Sequence, residues 1–358
     1  MTYYTAFTLM PNLLHAYKKL FSTLNALSFT SLISLNLLLV PQISQAEQAV
    51  SKTPELPVCV YIASYAPGYS WQDGIERALT QTLKDHCKIK TFFMNSKKVF
   101  DKESLQKIGL HAVDFIQSHS PDVVIVSDDN AVKYVLKEHY HNSQLPFVFC
   151  GVNNSGIPYG LPYKNTTGMV EKNPTEAILK LLFSINPSKT HVAFMTTSGT
   201  SANRDIHEFH QLVDKLGIAS SAFQIRNEQE WRILYKQLQE DSKVDIILFS
   251  NRAAFKTWDH NKNIEWIKQH NNKLSITTQD WMMPYVAVGM NKVPDEQGLW
   301  AGAAAIEIIN GTPASQISVV PNQKFQLWIN PLIAKPFKNQ LPENIFSQSL
   351  VYDEANVK

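Results

Sequence analysis

Acidic and amide side chains follow two short apolar runs of this chain. Asp128, Asp129 and Asn130 come directly after the run VVIVS, and Asn153 ends the run FVFCGVN. Carboxylate and amide oxygens at such positions can accept hydrogen bonds from an ammonium or hydroxyl group of a small molecule. An apolar run that is too short for a helix and ends in polar residues is typical of a buried parallel strand whose carboxyl end borders a ligand crevice.

The same rule, applied to the ends of several other predicted strands, selects a larger set of candidate ligand contacts. These are Ser64, Tyr65, Tyr69, Asp128, Asp129, Asn130, Asn153, Thr197, Ser198, Thr200, Asn251, Asp280 and Trp281. Because the two aspartates also precede a predicted helix, we expect one of them to cap that helix and the other to meet an ammonium or hydroxyl group.

A hydroxyl-rich segment could hold the carboxylate of a ligand. Residues 196–203 read TTSGTSAN and precede a predicted helix. Hydroxyl groups and free N–H groups would therefore meet at the positive end of the helix dipole. The alternative is an ordinary N-cap, which Thr200 or Ser201 would satisfy alone.

Aromatic side chains accompany these polar candidates. Tyr65, Tyr69, Trp71 and Trp281 lie near predicted strand ends, where their rings could pack against flat apolar or cationic groups. Any one of them could instead be a core residue. The other tryptophans are assigned to packing or to the surface: Trp231, Trp258, Trp266, Trp300 and Trp328.

The residues offer no arrangement that predicts catalysis. A G-x-S-x-G elbow, a P-loop and a G-x-G-x-x-G motif are all missing from the sequence. His207 and His210 lack a third metal ligand, so a solvated pair is expected. Asp128 and Asp129 are adjacent, whereas a glycosidase needs two facing carboxyl groups. We predict a protein that is not an enzyme and uses no cofactor or metal.

The amino terminus resembles a secretory leader. Residues 1–46 contain no Asp, Glu or Arg, and carry Lys18 and Lys19 before an apolar stretch at 24–40 and the ending Ser44-Gln45-Ala46. This pattern predicts a signal peptide that is cleaved after Ala46. An uncleaved membrane anchor is the alternative. No cysteine follows the apolar stretch, so the mature protein is predicted to be soluble and not lipid-anchored.

The charge balance argues against some partners. Without the two leader lysines, 31 of the 33 Lys and Arg residues remain, against 31 Asp and Glu residues. A net charge of zero, without a basic cluster, excludes nucleic acid and an anionic membrane as expected partners.

Strand and helix patterns alternate along the mature chain. Strands are predicted at 58–64, 88–94, 122–126, 147–152, 166–170, 191–197, 220–225, 245–250, 274–278, 285–290 and 325–330. Helices are predicted at 71–84, 102–118, 130–139, 174–185, 202–216, 228–240, 261–270 and 295–310. Such alternation with short connections predicts an α/β protein with parallel sheets and right-handed crossovers. A connector rich in Gly, Pro and Asn, at 154–165, separates two such series. The fold class is therefore two doubly wound parallel-sheet lobes.

Three cysteines lie after the leader. Cys59, in the first strand, and Cys87, after the next helix, would lie at the same end of the sheet. A bridge between them is geometrically reasonable, and two unpaired thiols are the alternative. Cys150 lies on an apolar strand and is expected to be a small core residue rather than a nucleophile.

Four strings carry a resemblance to a known family. They are SYAPGYSWQDGIERAL, PDVVIVSDDNAVKYVL, PFVFCGVNN and DEQGLWAGAAAIEIINGTPA. They resemble the substrate-binding proteins of ABC-type uptake systems, in the tryptophan- and tyrosine-binding-like branch of type I periplasmic binding proteins. Between about 190 and 273 only the order of strands and helices matches.

The resemblance implies two α/β lobes that are joined by three crossings and enclose a small ligand. Beside the signal peptide at 1–46, it places lobe one at 47–152 plus 283–312 and lobe two at 153–282 plus 313–358. Ligand binding would close the lobes about residues 153–157 and 278–284. Gly156, with its permissive backbone, would absorb part of the rotation.

The implied function is that of a periplasmic solute-binding protein. It would act as a monomer, bind a small ligand such as an amino acid or another carboxylate, and deliver it to an ABC permease. The alternative is a ligand-sensing subunit that docks on a membrane receptor or a histidine kinase.

Overall fold

A computed structural model shows an α/β chain with two sheets. It describes residues 55–99, 101–153, 155–188, 190–199, 202–252 and 255–353. The predicted leader at 1–46 and the candidate Thr200 lie outside these residues. Within the described ranges, no helix is long and apolar enough to cross a bilayer.

Most strands follow the predicted runs closely, whereas the two-residue strands β11 and β13 were not predicted. In chain order they are β1 (Val58–Ala63), β2 (Lys88–Phe93), β3 (Val123–Ser127), β4 (Phe147–Asn153), β5 (Thr166–Glu171), β6 (His191–Thr197), β7 (Ala219–Ile225), β8 (Ile246–Phe249), β9 (Leu274–Thr277), β10 (Val288–Lys292), β11 (Val320–Pro321), β12 (Phe325–Ile329) and β13 (Leu350–Val351).

The longer α-helices lie close to their predicted positions, whereas α9 and α10 were not predicted. They are α1 (Ser70–Leu83), α2 (Lys102–His119), α3 (Asp128–Ala131), α4 (Thr175–Ile185), α5 (Ala202–Leu216), α6 (Glu228–Glu240), α7 (His260–Gln269), α8 (Pro294–Ile309), α9 (Pro331–Ala334) and α10 (Glu343–Gln348).

Local capping explains where several helices begin. The Asp101 carboxylate accepts a hydrogen bond from the Ser104 N–H at 2.7 Å at the start of α2. Asn227 accepts from the Glu230 N–H at 2.9 Å at the start of α6. Each side chain satisfies a backbone donor that the first helical turn leaves unpaired.

The first sheet has the strand order β11-β5-β4-β3-β1-β2, and all its pairs are parallel. Apolar side chains cover both of its faces, and β3 is buried along its whole length. The Cys59–Cys87 disulfide is formed at its edge, as the sequence allowed. Cys150 is a free, buried thiol on β4.

The second sheet has the order β13-β12-β10-β9-β8-β6-β7. Its pairs are parallel except β10–β12, which is antiparallel. Its core contains the fully buried Trp231, which stacks on Phe249 at 5.7 Å between ring centroids. The prediction that Trp231 is a packing residue is confirmed.

Two strands belong to a different sheet from the one expected. β5 was expected to open the second series but pairs with β4, and β10 was expected in lobe one but pairs with β9. Both errors have one cause. Strand order depends on backbone hydrogen bonds between distant segments, which chain order alone does not reveal.

Three crossings connect the sheets, and their positions differ from those expected. The chain passes through residues 172–174, Val293 and residues 322–324. The segment 153–157 instead joins β4 to β5 within the first sheet, and 278–284 joins β9 to β10 within the second. The expectation that 153–157 and 278–284 are crossings is therefore wrong.

The helix predicted from Asn130 also differs. The turn α3 begins at Asp128 and continues as a π-helix, Val132–Lys137. Ser127 is the N-cap residue, so neither Asp128 nor Asp129 caps the helix as expected. The carboxylates of Asp128 and Asp129 are therefore available for contacts other than helix capping.

Candidate ligand-binding site

A cavity of about 540 Å³ lies where strand ends of the two sheets meet. From the first sheet, residues after β1, β3 and β5 and the last residues of β4 and β5 line it, together with the start of α1. From the second, residues after β9, the end of β10 and parts of β12 and β13 line it. The cavity therefore depends on both sheets.

Six of the predicted contacts line this cavity. They are Tyr65, Tyr69, Asp128, Asn153, Asp280 and Trp281. They come from strand ends that lie far apart in the sequence, and the structure brings them together at one site.

Asp128 lies at the floor of the cavity with only 4% of its surface exposed. Its Oδ1 accepts a hydrogen bond from the Trp71 indole Nε1–H at 2.9 Å. Its Oδ2 has no hydrogen-bond partner among the described residues. One oxygen of this carboxyl group is thus held by Trp71, and the other is buried without a partner in the described structure.

Burial governs the electrostatics of this group. Desolvation, together with a smaller contribution from the charge of Asp129, raises the pKa of Asp128 to about 7. The hydrogen bond from Trp71 and the charges of Lys292 and Lys97 act in the opposite direction. The carboxyl group therefore titrates near neutral pH.

Asn291 is the matching feature from the second sheet. It lies on β10, lines the cavity and is 5% exposed. Neither its Oδ1 nor its Nδ2 has a partner among the described residues. A buried amide without partners is costly, so this side chain is suited to bind polar atoms of a ligand.

A buried ion pair closes one wall between the sheets. The Lys292 ammonium on β10 contacts the Glu171 carboxylate on β5, with side chains 14% and 8% exposed. Burial lowers the pKa of Lys292 to about 8, while Asp128 and Asp129 oppose this shift. The ammonium also lies 5.3 Å from the centre of the Trp71 ring. The Lys292 ammonium is therefore already paired with a carboxylate of the protein.

Two tyrosines form an aromatic edge of the cavity. The rings of Tyr65 and Tyr69 meet edge to face at 5.4 Å, and the Lys97 ammonium lies 3.2 Å from the centre of the Tyr69 ring. Burial raises the pKa of Tyr69 to about 12 and that of Tyr65 further. Both hydroxyl groups are thus neutral hydrogen-bonding groups at physiological pH.

Three predicted contacts lie behind the cavity wall. Ser64 is fully buried, and its Oγ donates to the Ser127 carbonyl at 2.6 Å. The Asn130 side chain donates to the Ser96 hydroxyl at 2.8 Å. The Asp129 carboxylate accepts from the Asn153 amide. Within the described structure these residues position the wall and do not line it.

The hydroxyl-rich segment lies on the other half of the second sheet. Thr197 Oγ1 donates to Asn251 Oδ1 at 2.5 Å, and neither these residues nor Ser198 line the cavity. Thr200 is not described. A carboxylate site at this segment stays a prediction, because the structure gives no contact that tests it.

Several cavity residues were not selected from the sequence. Glu171 ends β5 and Asn173 follows it, and Asn291 and Lys292 end β10. The strand-end rule would have selected them if it had been applied to these two strands. Trp328, assigned to packing or the surface, also lines the cavity, because β12 pairs with β10.

Metal ligation has no support in the described part of the chain, which contains no group of three or more His, Cys, Asp or Glu side chains placed to hold an ion. His207 bonds Gln211 and His210 bonds Ser220 instead. The groups at the cavity suit hydrogen bonding and ring packing with an organic solute.

Solved structures share this fold at low sequence identity. An ABC domain in complex with L-tryptophan from Streptococcus pneumoniae aligns at a TM-score of 0.55 and 15% identity, covering 83% of this chain and 99% of that one. A ligand-free, open substrate-binding protein with adhesive properties from Clostridium difficile aligns at 0.67 and 13%, covering 83% and 99%.

A periplasmic ribose ABC transporter protein from Conexibacter woesei aligns at a TM-score of 0.51 and 12% identity, covering 79% of this chain and 95% of that one. These likenesses show the α/β fold of type I periplasmic binding proteins, as the sequence predicted. No curated protein matches the chain in sequence.

The family model for ABC transporter substrate binding proteins matches residues 58–351. This match covers both sheets and all the strand ends that form the cavity. The chain therefore belongs to the ABC transporter substrate-binding protein family, whose members bind a solute for transport.

Proposed function

We propose that this protein binds one small solute in the cavity between its sheets and delivers it to an ABC importer from the periplasm. The observation that carries this proposal is the cavity of about 540 Å³, which side chains from both sheets line. Its volume lies within the range of about 300–1,000 Å³ that is usual for small-molecule sites.

The two sheets act as two lobes in this proposal. Lobe one comprises residues 58–171 and 294–321, and lobe two comprises 175–292 and 325–351. These bounds follow the strand order and the three crossings. Because each lobe supplies only part of the cavity lining, a small solute is enclosed only when both contribute.

The solute carries a flat apolar or aromatic group. Five aromatic side chains line the cavity: Tyr65, Tyr69, Trp71, Trp281 and Trp328. Aromatic rings offer large contact areas with few rotatable bonds, so they bind flat groups at a low entropic cost.

Calorimetric titration with amino acids, nucleosides, sugars and vitamins tests this proposal. L-Tryptophan belongs in the panel because the Streptococcus structure of the same fold contains it. We expect at least one flat solute to bind, and Trp281→Ala to weaken its affinity about tenfold, equivalent to about 1.4 kcal/mol. Trp300→Ala, outside the cavity lining, should leave the affinity unchanged. Binding that is insensitive to Trp281→Ala would contradict the aromatic contact.

Delivery from the periplasm requires export. The proposed leader at 1–46 would be removed after Ala46, so that the mature protein begins at Glu47. Intact-mass measurement of protein isolated from the periplasm should show this shorter chain. A full-length mass would mean that the leader is retained as an anchor.

A further inference from the structure

Two buried polar groups in the cavity have no partner in the described structure. They are Oδ2 of Asp128, from lobe one, and the whole side-chain amide of Asn291, from lobe two. Leaving a buried polar atom unpaired costs about 1–3 kcal/mol. These two groups therefore identify where polar atoms of the solute belong.

The charges around the cavity show which polar atoms fit. Four acidic residues line it, Asp128, Glu171, Asp280 and Asp295, and Lys292 is the basic residue in the lining. Lys292 is paired with Glu171, and Asp295 is paired with Arg77 at 2.7 Å. Within the described residues, Asp128 and Asp280 form no ion pair, so the cavity keeps an excess of negative charge.

The aromatic edge formed by Tyr65 and Tyr69 also favours a cation over an anion. Ring faces carry negative potential and attract cations, and the Lys97 ammonium already lies over the Tyr69 and Tyr65 rings. Lys97 does not line the cavity. A carboxylate at the floor would face Asp128 without an unpaired cation in the described cavity lining, whereas an amine would neutralise that group.

We propose that the solute is a cationic amine with a flat ring, bound through its ammonium to the Asp128 carboxylate, and that it needs no carboxylate of its own. Asn291 then donates one hydrogen bond and accepts another from the solute's polar atoms. This inference rests on the proposed solute-binding function and defines the chemical class of the solute.

Matched compounds that differ in one charged group test the inference. The first set is tryptamine, L-tryptophan and indole-3-propionate, and the second is phenethylamine, L-phenylalanine and 3-phenylpropionate. Calorimetry at pH 8 should show at least one of the amines binding tenfold or more tightly than its matched carboxylate. Loss of the carboxylate from an amino acid should cost less than loss of the ammonium.

Variants connect this preference to the two residues. Asp128→Asn keeps the shape of the side chain and an acceptor for Trp71, and should weaken amine binding tenfold or more. Asn291→Leu should also weaken it. The control Asp114→Asn removes a charge from an exposed position on α2 and should leave binding unchanged, while thermal unfolding confirms that each variant is folded.

The outcomes separate the two proposals. If matched carboxylates bind as tightly as the amines, or if no amine binds while another solute of the broad panel does, the cationic class is wrong and the solute-binding function stands. If Asp128→Asn leaves amine affinity unchanged, the assigned contact is also wrong. If no solute in either panel binds, the proposed function fails together with the inference.

Discussion

At the scale of single residues, the surroundings of Asp128 lower the stability of the ligand-free protein. It is buried, and its backbone has φ +66°, a left-handed conformation in which Asp and Asn are among the better-tolerated residues. Gly151, with φ +65°, lies beneath it, and an added Cβ there would come within 3.1 Å of Asp128 Oδ1. Such costs concentrate at functional sites.

We expect Asp128→Asn to stabilise the ligand-free protein more at pH 8 than at pH 5. Burial raises the pKa of Asp128 from 3.8 to about 7, so the folded state binds its proton more tightly than the unfolded state. The group therefore lowers stability progressively as pH rises from about 4 to 7, by roughly 4 kcal/mol in total. Thermal unfolding of both proteins at both pH values measures the difference.

Neighbouring charged groups contribute to the pKa of the Asp128 carboxyl group. Asp129 raises the pKa of Asp128, while Lys292 and Lys97 lower it. Asp114→Asn, at an exposed position on α2, is the control for loss of a carboxylate outside the cavity. An equal effect of Asp128→Asn at pH 5 and pH 8 would mean that the carboxyl group is not titrating between them.

At the scale of elements, the contact between α1 and α8 positions the cavity floor. Both helices cover the first sheet, and the first residues of each line the cavity. Gly298 allows their close approach, because an added Cβ would lie 2.2 Å from the Ile75 carbonyl oxygen and 2.9 Å from the Leu79 nitrogen. These neighbours are backbone atoms, so they cannot move as a flexible side chain would.

Gly298→Ala should therefore destabilise the protein. Alanine favours a helix over glycine by about 1 kcal/mol, but forcing α1 and α8 apart should outweigh this gain and leave a net loss of about 1–3 kcal/mol. Urea unfolding measures the loss. The control Gly199→Ala has no heavy atom within 4 Å of the added Cβ, and it should change stability little. A stabilised Gly298→Ala variant would contradict the tight contact.

At the scale of the whole molecule, hydrogen bonds connect the three crossings. The Lys172 N–H donates to Asn322 Oδ1 at 2.6 Å, joining the first crossing to the third. The Glu296 carboxylate at the start of α8 accepts from Gln323 and Lys324 N–H groups at 2.9 and 2.8 Å. The crossings therefore form one short connected region, which is suited to act as a hinge in the proposed function.

We expect solute binding to close the two lobes about these crossings. The reason is that lining groups come from both sheets, so contacts to a small solute form only when the sheets approach. Small-angle scattering should show a smaller radius of gyration with a saturating solute than without it. Asp128→Asn at the same solute concentration should show no contraction. Identical curves for the wild type with bound solute would mean that the cavity is preformed.

Much of the fold could be predicted because its signals are local. Apolar runs of strand length and amphipathic helical segments gave nearly all the element bounds, and Ala202–Leu216 and Glu228–Glu240 match the structure at both ends. The Cys59–Cys87 bridge was one of two alternatives that this local order left open, and the structure contains it. The π-helical turn at Val132–Lys137 was missed, because its hydrophobic pattern is that of an ordinary helix.

The candidate site was predicted in part. Tyr65, Asp128 and Trp281 line the cavity because the polarity of a strand can be read from the residues that follow it. Thr197 and Asn251 satisfy the same rule, yet they bond each other away from the cavity. The strand-end rule identifies the edge of a sheet at which ligand contacts can lie. It does not identify which part of that edge faces the other lobe.

The sequence by itself therefore determined most of the strands, the longer helices and the family resemblance. The tertiary structure alone decided that β5 joins the first sheet, that β10 joins the second, and that the ends of β9, β10 and β12 border the cavity while those of β6 and β8 do not. The physical reason is that sheet neighbours are chosen by backbone hydrogen bonds and packing between distant segments. Asp128 and Asn291 line the same cavity because of that choice of sheet neighbours.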